Sequence, residues 1–554
     1  MSVVDLPSPL ARAAQTVLRQ NDRGSYTVPT KGLYPFQWNW DSCFTALGLS
    51  HFDMDRAWTE IETLFAHQWD DGMVPHMVFH EAAPGYFPGP EVWGTGHMPP
   101  TSGITQPPIA GFVVHELYRR SGDDARARAL LSRLDRSHAW FYRTRDPAGE
   151  GLVAVLHPWE SRDNAVDWDD AFDRVPTEGV MAYERNDLKH ADPATRPTRA
   201  QYDRYLWLVQ HFRSLGWDGA KLHDASPFRI VDPGFNAILI RSCLATAALA
   251  ETLGEPAIAR HNRDWAARGL MALDTLWSDS AGQYLSRDRI TGAAVPYPSI
   301  GGLIPVLAPI PAARAAAIAA TIAAIGEHVR YLVPSHDPRD ARFDLRRYWR
   351  GPVWHVCNDL IVDGLRTAGQ AALADRIVAD SLALIEQSGF AEYYDPRDGS
   401  PLGGGRFSWT AAMVLEFVDP IRLRALSSAG AAARPRSPSS ATPSPPAPPR
   451  ALPSAAGPIA SVLRSGSASP TRGSGRPSCR IRPMPPAARA PTMVFPATGA
   501  TSSAATAPTS SRSSMASTTP AIRWRRPPST PMASAATTPR WSMACSRPVT
   551  PPRR

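Results

Sequence analysis

The chain has 554 residues and a formal net charge of +8, which is distributed unevenly along its length. From Ser427 onward there is no Asp, Glu, Lys, His, Asn, Gln or Tyr but there are 17 arginines, and subtracting their charge from +8 leaves −9 for residues 1–426. These arginines are scattered among Pro, Ala, Ser and Thr, without the folded platform and interleaved aromatic residues of a nucleic-acid-binding surface. The charge distribution therefore argues against a nucleic-acid partner.

The same change in composition predicts two parts, a globular domain over 1–426 and a disordered tail over 427–554. The Pro/Ala/Ser/Arg-rich tail cannot bury enough apolar surface to fold, and its missing residue types suggest a reading frame translated out of register. The five cysteines form no close pair and no CxxC motif, which favours a reducing compartment without a disulfide framework or zinc site. The N-terminus lacks the apolar segment of a signal peptide, and no uncharged apolar run reaches the roughly 18 residues of a membrane span. We therefore expect a cytoplasmic protein without a membrane partner.

Ten segments of residues 1–426 place apolar residues at i, i+3, i+4 and i+7 and end near Gly, Asn or Pro, which predicts α-helices. They span 57–68, 107–121, 124–145, 201–216, 236–254, 256–277, 314–329, 353–369, 371–389 and 408–419. Convincing β-rich runs are few and short. Many helices without a fixed short repeat predict an all-α fold, either a closed double ring of helices or a solenoid.

Long loops between these helices carry the chemically unusual residues. Their sequences combine Trp and Tyr with acids and amides, a composition more typical of sites than of connectors. They span 34–42, 71–81, 84–96, 101–108, 157–170, 346–354 and 391–410.

In HPWESRDNAVDWDD (157–170), aromatic and acidic residues alternate densely. Aromatic faces stack on the C–H faces of sugars while carboxylates and amides hydrogen-bond the hydroxyls, so this mixture favours a carbohydrate pocket. For Asp167 and Asp169 the simpler interpretation is N-capping of a helix on a surface loop. For Asp163 the sequence supports that interpretation and a role in catalysis equally.

In YPFQWNWDS (34–42), four aromatic residues surround polar ones. Some of these rings are expected in the core. Because core aromatic residues rarely alternate with Gln and Asp along a sequence, the pattern favours a sugar subsite lined by Gln37, Trp38 and Asp41.

Glu392 in AEYYDP precedes the glycine run of PLGGG and a predicted helix start. Glycine permits close approach of the backbone to a ligand, so a carboxylate beside this run could activate a water molecule. The alternative is a hairpin followed by a helix with Ser408 as its N-cap.

Three further groups have both functional and structural interpretations. Tyr348 and Trp349 in RRYWRGPVW extend the aromatic pattern, but they also fit a helix N-terminus with a cation–π pair. His76 has no partner at metal-ligand spacing and is expected to be packed or hydrogen-bonded. Arg196 could bind a carboxylate, although most arginines lie on a solvated face.

Taken together, these loops resemble glycoside hydrolase family 63, in particular its bacterial glucosylglycerate and mannosylglycerate hydrolases. FQWNWDSCF, HPWES-DN-WD, RRYWRGPVW and EYYDP-GSPLGGG-FSWTAA match the family's loops in the expected order, over roughly residues 5–425. The resemblance implies an (α/α)6 barrel with long loops forming a cap over the active-site end. It also implies hydrolysis of the α-glycosidic bond with inversion, using two carboxylates and no metal or organic cofactor.

Matching the motifs residue by residue implies the roles of individual side chains. Asp163 would be the general acid and Glu392 the general base, and Asp163 would need a raised pKa, which burial against Trp159 could provide. The sugar would be bound by Tyr34, Gln37, Trp38, Trp40, Asp41, Tyr86, Trp159, Tyr348 and Trp349. The glycerate would be met by His76, Tyr202 and Arg196, with Arg196 supplying the cation.

The acid loop departs from the family pattern, because ESRD is one residue shorter than ES-G-x-D. A deletion there predicts either a displaced carboxyl and weakened catalysis or a loop that compensates. Two other functions therefore stay open, a trehalase-like or other α-glucosidase acting on a neutral disaccharide and a catalytically weakened sugar-binding protein. The buried cation expected at Arg196 argues against a neutral second sugar. Sequence does not decide between glucose and mannose or fix the oligomeric state.

Overall fold

Helices dominate the computed structural model, which describes residues 8–185, 187–189 and 192–419; the tail predicted from 427 lies outside these residues. The α-helices are α1 (Pro9–Asn21), α2 (Asn39–Leu49), α3 (Met54–Ala66), α4 (Pro90–Trp93), α5 (Ala110–Ser121), α6 (Asp124–Arg145), α7 (Asp169–Phe172), α8 (Arg199–Ser214), α9 (Gly219–Ala225), α10 (Pro233–Thr252), α11 (Pro256–Leu273), α12 (Ala312–Ile325), α13 (His355–Thr367), α14 (Ala371–Ser388) and α15 (Ser408–Val418). All ten segments predicted from periodicity overlap one of these helices.

Six segments form a closed inner ring. Neighbours in the ring are α2, α5, α10, the short 3₁₀ segment Ile304–Leu307, α13 and α15, and α15 packs against α2 to close it. In the outer layer α3 packs on α2, α6 on α5, α11 on α10, α14 on α13 and α1 on α15, while α12 follows Ile304–Leu307 along the chain. The predicted all-α (α/α)6 barrel is confirmed, with one inner position held by a 3₁₀ segment.

Burial explains why α2 escaped prediction. Every residue from Asn39 to Leu49 is buried, so this inner helix has no polar face and no amphipathic period. The assignment of 34–42 to a loop is therefore wrong from Asn39 onward, and Trp40 and Asp41 lie in the first helical turn. Helix α10 also lies in the inner ring. It is long and apolar enough to cross a membrane, but 83% of its most apolar window is buried within the protein.

Short antiparallel strand pairs carry several of the loop residues. The pairs are β1 (Gln37–Trp38) with β2 (Met77–Val78), β3 (Ile230–Val231) with β6 (Arg287–Asp288), β4 (Trp277–Ser278) with β5 (Gln283–Tyr284), and β7 (Ala391–Tyr394) with β8 (Pro401–Gly405). The β7–β8 hairpin leads into α15 as the structural alternative predicted, but Ser408 does not cap that helix. Phe407 occupies the cap position, and the Ser408 hydroxyl donates to the Val28 carbonyl at 2.7 Å.

Candidate active site

A cavity collects 13 of the 14 residues that the motif matches implicate. They come from separate segments: the 34–42 region, the 71–81 and 84–96 loops, the 157–170 and 192–202 segments, the 346–354 loop and β7. The predicted residues that line it are Tyr34, Trp38, Trp40, Asp41, His76, Tyr86, Trp159, Asp163, Arg196, Tyr202, Tyr348, Trp349 and Glu392. The two carboxyls proposed for catalysis thus share one cavity.

Gln37 is the predicted residue that does not line this cavity. Its amide nitrogen donates to the Ser42 hydroxyl at 3.1 Å and to the Glu60 backbone carbonyl at 3.1 Å, and its amide oxygen lies 2.7 Å from His80 Nε2. The side chain is fully buried. The structure therefore places Gln37 outside the cavity lining, with its amide occupied by buried polar groups.

The acid loop holds Asp163 at the cavity wall. The Tyr205 hydroxyl donates to the Asp163 backbone carbonyl at 2.8 Å, and the Oδ1 of Asn164 accepts from the Trp349 backbone N–H at 3.0 Å. The side chain of Asp163 lines the cavity although its loop is short. Burial raises the pKa of Asp163 to about 8, with a further increase from Glu392 that is opposed by Arg196. Such a carboxyl can hold a proton at neutral pH.

Asp167 and Asp169 of this loop form ion pairs and do not cap helices. Asp167 is paired with Arg162 through two hydrogen bonds of 2.9 and 2.8 Å. Asp169 accepts two hydrogen bonds of 2.8 Å from Arg350. The N-capping interpretation of both aspartates is wrong, because Ala165 and Trp168 occupy the cap positions and guanidinium groups offer stronger charge-assisted partners than backbone N–H groups.

Glu392 is buried and accepts hydrogen bonds from several directions. Its Oε1 accepts from the hydroxyls of Tyr34 at 3.1 Å and Tyr348 at 3.3 Å, and its Oε2 accepts from the Gly404 backbone N–H at 3.0 Å. Arg196 Nη1 lies 3.6 Å from the same Oε2. Burial raises the pKa of Glu392, and Arg196 and the three hydrogen bonds oppose that rise. These donors favour the charged carboxylate.

The geometry around Glu392 explains why glycine occupies position 403. Gly403 has φ of +70°, and a Cβ built on it would lie 2.2 Å from Glu392 Oε2. A side chain at this position would displace the carboxylate, and the left-handed backbone itself favours glycine. The sequence predicted a close approach of this backbone to a ligand; in the structure the backbone lies close to Glu392.

Arg196 links the proposed base to Asp187, which also lines the cavity. Its Nη2 donates to the Tyr34 hydroxyl at 2.9 Å, its Nε donates to Asp187 at 3.4 Å, and its guanidinium carbon lies 4.4 Å from the centre of the Tyr348 ring. Arg196 is buried, and its Nη1 has no hydrogen-bond partner. A buried N–H group without a partner is costly, so this atom is a ready donor to an anionic ligand.

His76 is neutral in this site. Its Nε2 lies 3.2 Å from Trp38 Nε1, and its Nδ1 lies 3.3 Å from the Ser102 hydroxyl. Burial lowers the pKa of His76 to about 3. Because indole nitrogen can only donate, the histidine accepts at Nε2 and donates from Nδ1. His76 therefore lines the cavity as an uncharged, hydrogen-bonded ring.

Asp41 brings a third acid to the cavity from the first turn of α2. Burial raises its pKa well above the ordinary range, and the charge of Glu392 adds to the rise. The neighbouring wall is aromatic, with Trp40 lying 6.2 Å from Trp349 and 5.7 Å from Trp409 between ring centres. A buried acid beside indole rings can hydrogen-bond a sugar hydroxyl while the rings pack on the sugar's C–H face.

The cavity also contains residues that the motifs did not indicate. Asp187 anchors Arg196 and accepts from Arg185 at 2.6 Å, and Gln106 accepts from the Trp40 backbone N–H at 3.2 Å. The other cavity residues outside the predicted set are Pro29, Leu33, Met77, Phe87, Pro88, Trp93, Ser161, Pro197, Tyr205, Phe407 and Trp409. Gln106 lies in the 101–108 loop, whose composition is typical of a site. Asp187 lies in a segment whose sequence shows no such composition.

Known proteins with similar sequences are glycoside hydrolases, as the two carboxyls in the cavity would require. Residues 34–410 match the family described as the mannosylglycerate hydrolase MGH1-like glycoside hydrolase domain. A mannosylglycerate hydrolase of Thermus thermophilus is 47% identical over 411 residues, which are 73% of this chain and 99% of that protein. The chain belongs to this glycoside hydrolase family. The glucosylglycerate hydrolase of Mycolicibacterium hassiacum is 34% identical over 441 residues, which are 74% of this chain and 98% of that protein.

A solved structure shares the fold. A GH63 mannosylglycerate hydrolase of Thermus thermophilus, crystallised with Tris and D-glycerate, has a TM-score of 0.72 and 46% identity, covering 74% of this chain and 100% of that one. The predicted membership of family 63 is confirmed, and the chain is a glycosidase. Among residues 8–185, 187–189 and 192–419, no cluster of three or more His, Cys, Asp or Glu side chains could hold a metal ion.

Proposed function

We propose that this chain hydrolyses the glycosidic bond of mannosylglycerate or glucosylglycerate, releasing hexose and glycerate with inversion at the anomeric carbon. The observation that carries the proposal is the placement of Asp163, Glu392 and the buried guanidinium of Arg196 in one cavity. Two carboxyls supply the chemistry of glycoside hydrolysis, and the cation supplies a partner for the acceptor's carboxylate.

Asp163 acts as the general acid in this proposal. With a pKa of about 8 it is largely protonated at neutral pH, so it can donate its proton to the glycosidic oxygen as the bond breaks. The shortened loop does not remove the carboxyl from the cavity, which supports catalysis over sugar binding alone.

Glu392 acts as the general base. Its carboxylate is held by two tyrosine hydroxyls and one backbone N–H, with Arg196 nearby, and these contacts favour the charged form that accepts a proton from water. Water attacks the anomeric carbon from the face opposite the leaving oxygen, so the configuration inverts.

The acceptor subsite distinguishes this substrate class from neutral disaccharides. A buried carboxylate needs a charged, hydrogen-bonded partner, and the guanidinium of Arg196, whose Nη1 lies 3.6 Å from Glu392 and makes no hydrogen bond, offers one. A neutral second sugar gives no reason for a guanidinium at that position. Family relatives named for mannosylglycerate and for glucosylglycerate hydrolysis are both found, so the hexose is left as either of the two.

The test is direct hydrolysis by the full-length protein. Mannosylglycerate, glucosylglycerate and trehalose are incubated separately, free hexose and glycerate are assayed, and the first-formed anomer is identified by proton NMR. We expect hexose release from at least one glycerate glycoside, with the anomer opposite to that of the substrate. Cleavage of trehalose alone would favour the neutral-disaccharide function, and binding without cleavage would favour the weakened sugar-binding protein.

A further inference from the structure

Arg162, which immediately precedes Asp163, is directed away from the cavity. Its neighbours Ser161 and Asp163 line the cavity, whereas Arg162 is 2% exposed and lies outside the lining. Its two terminal nitrogens donate to the two carboxylate oxygens of Asp167, and one of them also donates to Asp232. The guanidinium therefore bridges two buried carboxylates.

Both carboxylates are themselves fixed to the surrounding fold. Asp232 caps inner-ring helix α10 by accepting from the Phe235 backbone N–H at 2.7 Å. Asp167 accepts from the Ser286 hydroxyl at 2.7 Å. Through these partners Arg162 connects the acid loop to the start of α10 and to the segment before β6.

The pocket around the guanidinium is shaped for a planar group. A Cβ built on Gly301 would lie 2.5 Å from Arg162 Nη2, and the guanidinium carbon lies 4.8 Å from the centre of the Trp168 ring. The Ser299 hydroxyl accepts a further hydrogen bond at 3.1 Å. Lysine has no planar fork, so it can reproduce the charge of Arg162 but not these contacts.

We propose that Arg162 is a positioning residue whose bridge to Asp167 and Asp232 sets the direction in which the Asp163 carboxyl enters the cavity, so that the shortened loop presents it to the substrate. The inference rests on the proposed function, in which Asp163 is the general acid. Because 162 and 163 are consecutive, fixing one side chain in the buried cluster fixes the backbone from which the other extends.

The charged and titratable groups that face Asp163 define what a displacement would change. Arg196, Glu392 and Asp187 act on its carboxyl through their charges, and it interacts with the nearby hydroxyls of Tyr205 and Tyr348. A loosened loop would admit water and alter the distances to these groups, which changes both the reactivity and the ionisation of the carboxyl.

The experiment compares Arg162→Lys with Arg120→Lys. Arg120 makes a similar forked pair with buried Glu416, with two hydrogen bonds of 2.9 Å, but neither residue lines the cavity. We expect Arg162→Lys to lower kcat about 100-fold, leave KM within about threefold, and move the alkaline limb of the pH profile to lower pH. Arg120→Lys should lower Tm while leaving kcat and the pH profile unchanged.

A purely structural role gives a different result. If Arg162→Lys lowers Tm as Arg120→Lys does but keeps kcat per folded molecule and the pH profile of the native protein, the inference is overturned. Should Arg162→Lys fail to fold, Asp167→Asn replaces it, since it removes one partner charge at constant volume. The expected kinetic changes are the same.

Hydrogen–deuterium exchange separates this inference from the proposed function. Arg162→Lys should accelerate amide exchange in residues 157–169, and Arg120→Lys should not. Faster exchange in a protein that cleaves neither glycerate glycoside would contradict the proposed function and support the anchoring role. Unchanged exchange in 157–169, whether or not the native protein is active, would overturn the anchoring role.

Discussion

Burial and hydrogen bonding give the carboxyls of the cavity different ionisation. Burial raises the pKa values of Asp41, Asp163 and Glu392 alike. Of the three, Glu392 accepts hydrogen bonds from two tyrosine hydroxyls and a backbone N–H, which favour its charged form. The environments of Asp163 and Glu392 therefore suit opposite roles, proton donor and proton acceptor.

The pH dependence of hydrolysis should report the acid. Asp163 must be protonated to act, so kcat/KM is expected to fall as pH rises through about 8, the raised pKa of that carboxyl. The measurement is the pH profile of hexose release by the free enzyme under first-order conditions. An alkaline limb near the ordinary pKa of aspartate, about 4, would contradict the burial argument.

The stability of the fold should also depend on pH through the raised pKa of Asp163. A carboxyl whose pKa is raised by folding contributes stability below its unfolded value of about 4, and this contribution is lost as pH rises through about 8. Asp163→Asn removes the titrating group. We expect the variant to become more stable relative to the native protein between pH 5 and 9, measured by urea unfolding; a constant difference across that range would contradict the shift.

Replacing Arg196 by alanine tests recognition of the acceptor. The substitution removes a buried, charge-assisted contact, which is worth on the order of 2–4 kcal/mol, or roughly 30- to 1000-fold in kcat/KM. Because Arg196 also lies beside Glu392, some activity should be lost on every substrate. We therefore expect kcat/KM for the glycerate glycoside to fall by that factor relative to a neutral hexosylglycerol analogue. An equal loss on both substrates would show that Arg196 supports the base and does not bind the carboxylate.

At the scale of elements, the β7–β8 hairpin is the device that holds the base. Gly403 and Gly404 bring backbone to within hydrogen-bond distance of Glu392, and Tyr393 anchors the strand by donating to the Thr195 carbonyl at 3.2 Å. The composition of 391–410 predicted either a close approach of the backbone to a ligand or a hairpin followed by a helix. It did not predict that the approach would be to the carboxylate itself.

Two nearby glycine positions separate strain at the base from a general effect on the hairpin. Gly403→Ala places a methyl group against Glu392 and forces alanine into a left-handed backbone, so kcat should fall about 100-fold. Gly405→Ala meets no atom within 4 Å and should keep near-native activity. The measurement is kcat for both variants with Tm as a check on folding. Equal activity in the two variants would contradict the geometric account of the glycine run.

The elements differ in how well sequence predicts them. The outer helices have one buried face, so their 3.6-residue period is visible, as in α14. Uniform burial removed that signal from α2, and the short Ile304–Leu307 segment of the inner ring has too few residues to show a period. Exposure alone does not decide the outcome, because the outer helix α1 was not predicted whereas the almost fully buried inner helices α13 and α15 were.

At the scale of the molecule, ring closure creates the site. The Tyr34 hydroxyl and Glu392 are hydrogen-bonded although 358 residues separate them along the chain. Periodicity contains no information about such distant pairs. The motif resemblance supplied this pair, and all but one of the residues that it implicates line the cavity. Gln37 lies outside the lining, because its amide binds neighbours that no local pattern reveals.

Truncation tests whether the fold and the activity require the predicted tail, residues 427–554. The Thermus relative is matched over 99% of its length by 73% of this chain, so a relative lacking such a tail is a complete family member. We expect a chain ending at residue 426 to keep the Tm and kcat of the full-length protein, measured by calorimetry and hexose release. Unfolding or inactivation of the shortened chain would place the domain boundary beyond 426.

Hexose release by two isosteric variants tests the central claim most directly. Asp163→Asn and Glu392→Gln each preserve volume but remove the proton chemistry of one carboxyl. We predict that the full-length native protein releases hexose from mannosylglycerate or glucosylglycerate, and that each variant loses at least about 1000-fold in kcat while keeping a native circular dichroism spectrum. Near-native turnover by either folded variant would remove that residue from the mechanism and contradict the two-carboxylate account.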